Sequence, residues 1–275
     1  MIFNDYIYII KADNNTEKLI CFGIREVGFG MNADIISMTG NRNNNQDSLL
    51  ACGQLYTGEE FLFRSVRTNE ERPALFAVAD GMGGEQYGEI ASETVLLVLN
   101  EAFEQSLEDS GETEDWVNAL LNAVQEAQRI VENAMNERNT VGGTTVSALL
   151  LYKGRFVALN IGDSPIYLIR KRDCVELSKE HTLARMKIDD GVPEKRISES
   201  DRHCLVQCIG SGGYSEVNVC EGEYLSGDIF AVMSDGMVIY GDKKAQNFLR
   251  GKDIWKHIED FKKAEDNVSA VIIRI

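Results

Sequence analysis

The chain has 275 residues with 44 acidic against 28 basic side chains, a formal charge of −16 at neutral pH. That balance excludes a nucleic-acid surface, which needs a basic face, and disfavours docking on an anionic membrane. No apolar run reaches the roughly 18 residues that a spanning helix requires, while 44% hydrophobic residues supply enough apolar material for a sizeable core.

Residues 1–33 read as an N-terminal extension of unassigned role, with apolar runs Tyr6–Ile10 and Leu19–Ile24 forming an edge hairpin broken at Asp13-Asn14-Asn15. The first ten residues lack the basic stretch of a secretory leader. The six cysteines (Cys21, Cys52, Cys174, Cys204, Cys208, Cys220) show no Cys-x-x-Cys spacing and read as small buried hydrophobes, so a reduced, cytoplasmic protein is expected. Leu75–Ala79 is a compact apolar run, a buried strand with Asp80-Gly81 at its tip. A helix is predicted over 89–107 and a second over 114–137. In the second, Val117, Leu120, Val124, Ala127, Val131 and Ala134 step by threes and fours along one stripe. Ser110-Gly111 breaks the pair, and Thr113 is placed to cap the second.

The period then changes. Segments 144–152, 155–161, 165–170 and 174–177 read as short strands separated by turns at Lys153-Gly154, Gly162-Asp163 and 171–173. Residues 178–215 are polar and without period. A hairpin follows over 217–225 and 229–233, closing on Ser234-Asp235-Gly236; then come a helical stretch near 252–263 and a final strand, 268–275. Strands, helices and strands without βαβ alternation predict an α+β fold of antiparallel sheets with helices packed outside. Three prolines and no Pro- or Ser-rich linker argue for one domain over 1–275.

Asp80, Asp163 and Asp235 each end an apolar strand, Asp266 directly precedes the last one, and Asp47 follows Arg42 in the polar stretch NRNNNQD. Singly, such residues are ordinary turn formers. Gathered at one end of a sheet they would repel and raise one another's pKa unless a cation lay among them. His181, His203 and His257 are too dispersed for a triad or a zinc site. Gly81-Met82-Gly83-Gly84 lacks the Lys-Ser/Thr of a phosphate loop.

These segments, in order, resemble the metal-dependent protein phosphatase family, type 2C, particularly its bacterial branch. The matches are RNNNQD (42–47), FAVADGMGG (76–84), VGGTTVSALLL (141–151), NIGDSPIYLI (160–169), LSKEHTLA (177–184), CIGSG (208–212), FAVMSDG (230–236) and EDNVSAVIIRI (265–275). The resemblance implies a four-layer α-β-β-α sandwich and hydrolysis of phosphoserine and phosphothreonine with two Mn²⁺ or Mg²⁺ ions, by attack of a metal-bridging hydroxide. Asp80 would bridge the two metals, the Gly81 carbonyl would bind one, and Asp235 and Asp266 the other. Asp47 would act through metal-bound water and Arg42 would grip the substrate phosphate. Residues 178–215 would form a flap beside the site. Substrates would be phosphorylated proteins, opposed by a Ser/Thr kinase.

The chain departs from the family pattern at Gln46, Met82, Pro165, Gln207 and Ile239. Ile239 matters most. It stands where relatives place a third-metal aspartate, which leaves Asp163 and Asp235 to hold at most a weak third ion. Two alternatives stay open from sequence: a degenerate member serving as a binding module, and a hydrolase of small phosphoesters.

Overall fold

The computed structural model describes residues 6–7, 30–68, 72–83, 87–109, 113–210, 213–214, 216–240 and 261–275. In chain order the elements begin with strands β1 (Tyr6–Ile7), β2 (Met31–Met38), β3 (Asp47–Ala51), β4 (Gln54–Thr57), β5 (Phe61–Thr68) and β6 (Ala74–Gly83). Helices α1 (Tyr87–Asp109) and α2 (Thr113–Glu137) follow, then β7 (Gly142–Thr144), β8 (Val146–Tyr152), β9 (Arg155–Ile161), β10 (Ile166–Arg170) and β11 (Asp173–Glu176). Short helices α3 (Leu183–Asp189) and α4 (Glu199–Arg202) lead to β12 (Ile209–Gly210), β13 (Asn218–Glu223), β14 (Ile229–Met233) and β15 (Val268–Arg274).

One sheet runs β1-β5-β2-β15-β14-β10-β11. The other runs β12-β7-β6-β8-β9-β13, with β3 on β6 and β4 on β3. Every pairing among the described residues is antiparallel. Alternation along β6 shows how the layers form. Phe76 and Val78 point at the first sheet, meeting Ile35, Phe230 and Val271. Leu75, Ala77 and Ala79 point outward at α1 and α2, meeting Val95, Leu99, Leu120 and Val124. Each large side chain so buried stabilises by about 1.5–3 kcal/mol before chain entropy is charged. The outer face of the first sheet is buried too, with Ile36, Ala231 and Ile272 against Met237 and Phe261. Central strands covered on both faces need no polar alternation, so β6, β8 and β15 are near-continuous apolar runs.

The expected α+β architecture of two antiparallel sheets with helices outside is what the structure contains. Three details differ. Asp80-Gly81 is not at a strand tip: β6 continues to Gly83 because β3 pairs with it on one side and β7 on the other. The strand expected over 144–152 is two strands, interrupted at Thr145. Within the stretch expected to be irregular, the described residues hold two short helices, α3 and α4, braced by Lys187 Nζ to Asp201 Oδ1 at 2.6 Å. Of the N-terminal hairpin, only Tyr6–Ile7 is described, as an edge strand opposite Ser65 and Arg64. The rest of that hairpin, and the helical stretch near 252–263 as far as residue 260, lie outside the described residues.

Candidate active site

A cleft of about 790 Å³ at one end of the sandwich is lined by Arg42, Asp80, Gly81, Asp163, Asp235 and Asp266, with Gln46, Thr145, His203 and Cys204 on its walls. The fold thus brings every sequence-predicted residue except Asp47 to one opening, and Asp47 lies directly behind it, paired in register with Asp80.

Each carboxylate has a local reason for its place. The sheet ladder beside β6 breaks between β7 and β8, and Asp80 sits at the break. Its amide donates to Thr145 Oγ1 (3.0 Å) and its carbonyl accepts from Thr145 N (2.9 Å) and Thr144 Oγ1 (2.9 Å). Asp47, fully buried, accepts at Oδ2 from Ser234 Oγ (2.9 Å), which itself accepts from the Ser269 amide (3.0 Å). Asp235 opens a 3-10 turn after β14, Asp235–Tyr240, in which Ile239 also lies. Gly236 follows it because a Cβ there would stand 1.9 Å from the Asn267 carbonyl oxygen. At Gly81 a Cβ would stand 2.2 Å from the Gly88 carbonyl oxygen, so the backbone passes here as only glycine allows.

Asp266 Oδ1 accepts from the Asn267 amide (2.8 Å), and its Oδ2 is bonded to Arg42 Nη2 at 2.7 Å. Arg42 Nε also donates to the Glu265 carbonyl (3.0 Å), so one edge of the guanidinium is fixed by β15's approach. Two supporting asparagines escaped the sequence reading. Asn267 Nδ2 donates to the carbonyls of Thr39 (2.9 Å) and Asn44 (3.0 Å) while its Oδ1 accepts from Gln46 N (2.9 Å), stapling the Arg42 loop to β15. Asn45 Oδ1 accepts the Asp47 amide (3.2 Å) and its Nδ2 donates to Ser37 Oγ (2.8 Å). Nothing in their local sequence separates them from turn residues: the partners of Asn267 lie 221 to 228 positions away, and the near bonds of Asn45 to Asp47 and Ser37 are those of any loop asparagine.

The electrostatics are those of a site short of positive charge. Burial pushes Asp47 up to about 7; the Ser234 hydroxyl bonded to Oδ2 offsets part of this, and the charges of Asp235 and Asp266 add to it. Asp80 is raised well above the carboxylate range by burial, then by Asp47, Asp235 and Asp163. Burial and then Asp235 raise Asp163 to about 7, and burial and then Asp266 raise Asp235. Asp47 Oδ1 and Asp235 Oδ1 are buried with no hydrogen-bond partner. Orphaned buried oxygens amid like charges call for a cation. The donors are all oxygens, which suits a hard divalent ion. Among the described residues no three His, Cys, Asp or Glu side chains form a ready-made ion cage. An open cluster of this kind fits ions that keep several waters.

A family model described as protein phosphatase 2C matches residues 62–271. The serine/threonine phosphatase Stp of Listeria welshimeri is 26% identical over 218 residues, spanning 74% of this chain and 86% of that protein. The serine/threonine protein phosphatase PstP of Mycobacterium tuberculosis is 31% identical over 180 residues, spanning 62% of this chain and 34% of its own length. The crystal structure of the Mycobacterium tuberculosis phosphatase PstP/Ppp superposes with a TM-score of 0.71 at 25% identity, covering 90% of this chain and 99% of that one. A PstP catalytic domain solved in complex with two manganese ions shares the fold, with a TM-score of 0.65 at 24% identity over 89% of this chain and 98% of that one.

Proposed function

The chain belongs to the protein phosphatase 2C family, and from that membership we propose that it is a metal-dependent hydrolase of phosphoserine and phosphothreonine in proteins. The observation that carries this reading is the acidic cleft: four carboxylates facing one opening, a fifth buried behind, and two oxygens without partners.

In this reading Asp80, the Gly81 carbonyl, Asp235 and Asp266 hold two Mn²⁺ or Mg²⁺ ions. When bound, such ions neutralise the carboxylates, polarise phosphoryl oxygens and acidify the attacking water. The protein's own residues do the rest. Asp47, fixed by Ser234, offers a buried acceptor that orients water at the back of the site. Arg42 stands at the rim with a side chain 56% exposed, and its planar fork can take two oxygens of the incoming phosphate. Its bond to Asp266 ties substrate binding to the metal-binding side of the cleft. Water attacks phosphorus, the P–O bond to the serine or threonine oxygen breaks, and that oxygen leaves toward the open mouth of the cleft, where solvent returns its proton. No cysteine or serine nucleophile is required.

Asp163 would serve as part of a weak third site. The chain is a single phosphatase domain over 1–275, with residues 1–33 an N-terminal extension of unassigned role and the flap at 178–215 facing substrate, and works in the cytoplasm against a Ser/Thr kinase. No helix among the described residues is long and apolar enough to cross a membrane. A panel comparing phosphothreonine peptides with small metabolite phosphates tests the substrate class. Faster turnover of the peptides is expected, and a preference for the metabolites would contradict the proposal.

A further inference from the structure

Taking the cleft as a phosphatase site, a second feature stands beside it. The end of β9 is clasped to the segment leading into α3 by four hydrogen bonds, three of them using side-chain atoms. Lys179 N donates to Asn160 Oδ1 (3.0 Å) and Asn160 Nδ2 donates to the Lys179 carbonyl (2.9 Å). One step on, His181 N donates to the Gly162 carbonyl (3.0 Å) and Gly162 N donates to His181 Nδ1 (3.0 Å). Gly162 has φ +99°, and a Cβ there would stand 2.5 Å from Thr145 Cγ2, so the turn that carries Asp163 into the cleft has little freedom of its own.

His181 also faces the other way. Its carbonyl accepts from Val206 N (2.8 Å), its neighbour Thr182 bridges to Leu205, and Leu183 N donates to the Cys204 carbonyl (2.7 Å). His203, Cys204 and Leu205 line the cleft. The same residue therefore bonds the Asp163 turn and the returning wall of the flap. The accepting Nδ1 places the ring proton on Nε2. Burial, then Lys179, hold this imidazole below its ordinary range while Glu216 opposes them, so the neutral acceptor form prevails at pH 7.

We propose that His181 is a positioning residue: through Nδ1 and its own backbone it sets the register of the flap wall against the Asp163 turn, and so the docking of phosphopeptide, without touching substrate. Loss of the imidazole leaves the Asn160–Lys179 pair in place, so the segment stays attached and only its register loosens.

Two substitutions separate this from simple filling of space. His181→Asn keeps an acceptor near the Nδ1 position in a smaller side chain; His181→Leu keeps bulk and removes the acceptor. Amide exchange by NMR on metal-free protein, melting temperature, and kcat and KM on a phosphothreonine peptide and an aryl phosphate with Mn²⁺ are measured for both. In His181→Leu, exchange at Gly162 and Val206 should quicken about tenfold, the worth of one hydrogen bond, with a similar rise in peptide KM and a smaller change on the aryl phosphate. His181→Asn should recover most of each. Leucine performing as well as asparagine, or both variants losing stability with exchange quickened across both sheets, would make His181 a packing residue and overturn the proposal. Wild-type protein that shows the protected amides yet leaves phosphothreonine intact would sink the phosphatase reading instead, and with it the role in peptide docking.

Discussion

Removing the Arg42 guanidinium tests the division of labour in the cleft. Arg42 is a rim residue whose ion pair with Asp266 is exposed, 56% and 34% on the two sides, so losing that pair should change fold stability by less than about 1 kcal/mol. In the role proposed for it, contact with a doubly charged phosphate would be a different matter. A charge-assisted hydrogen bond is worth about 1.5–3 kcal/mol, which converts to roughly a ten- to hundredfold loss in kcat/KM for Arg42→Ala. Arg42→Lys should recover only part of this. Its single ammonium cannot bond Asp266 and the Glu265 carbonyl, as Arg42 does now, and still present a fork to phosphate. The assay is initial-rate kinetics on a phosphothreonine peptide, with Mn²⁺ affinity followed by calorimetry on the same preparations. Metal affinity should persist in both variants, since the carboxylates remain. Abolished metal binding in Arg42→Ala, or unchanged kcat/KM, would refute the assignment.

Three further outcomes are expected. Gly236→Ala drives a Cβ to within 1.9 Å of the Asn267 carbonyl oxygen, so melting and activity should both fall, by about 1–3 kcal/mol or more in stability; an unaltered melt would show that this turn yields freely. Bonding by Lys187, then by Ser198, holds Asp201 down to about 2, below its ordinary 3.8, so the α3–α4 brace should be complete above pH 4 and lost as pH falls through 2. An NMR titration of the Asp201 carboxyl with a midpoint at or above 3.8 would contradict the brace. Ile239→Asp should strengthen a third, weak Mn²⁺ binding event beside Asp163 in calorimetry; identical titrations of wild type and variant would remove Asp163 from any third site.

Much of the fold was legible because its central strands are buried on both faces, so their apolar runs stand out, and because the stripe from Val117 to Ala134 repeats along most of the 25-residue helix α2. The acidic cluster was legible for a related reason: Asp80, Asp163, Asp235 and Asp266 each adjoin such a run, whereas Asp47, in a polar stretch, was singled out by the family resemblance. The interruption at Thr145 was not, because Thr144 and Thr145 continue a β-like pattern and the break is imposed by Asp80 across the sheet. Nor were the supports. Ser234 reaches Asp47 across 187 positions and Asn267 reaches Asn44 across 223, distances over which local pattern carries no information. Residues 178–215 read as irregular because α3 and α4 are short and held by side-chain bonds rather than by an apolar stripe.

The central claim is that the carboxylates of the cleft work by holding divalent cations. Phosphate release from a phosphothreonine peptide measures it directly, with metal-stripped protein, with Mn²⁺ restored, and with Asp80→Asn under the same conditions. The account predicts no turnover after stripping, full recovery with Mn²⁺, and neither turnover nor tight metal binding in Asp80→Asn. Undiminished hydrolysis by the metal-stripped protein would contradict it.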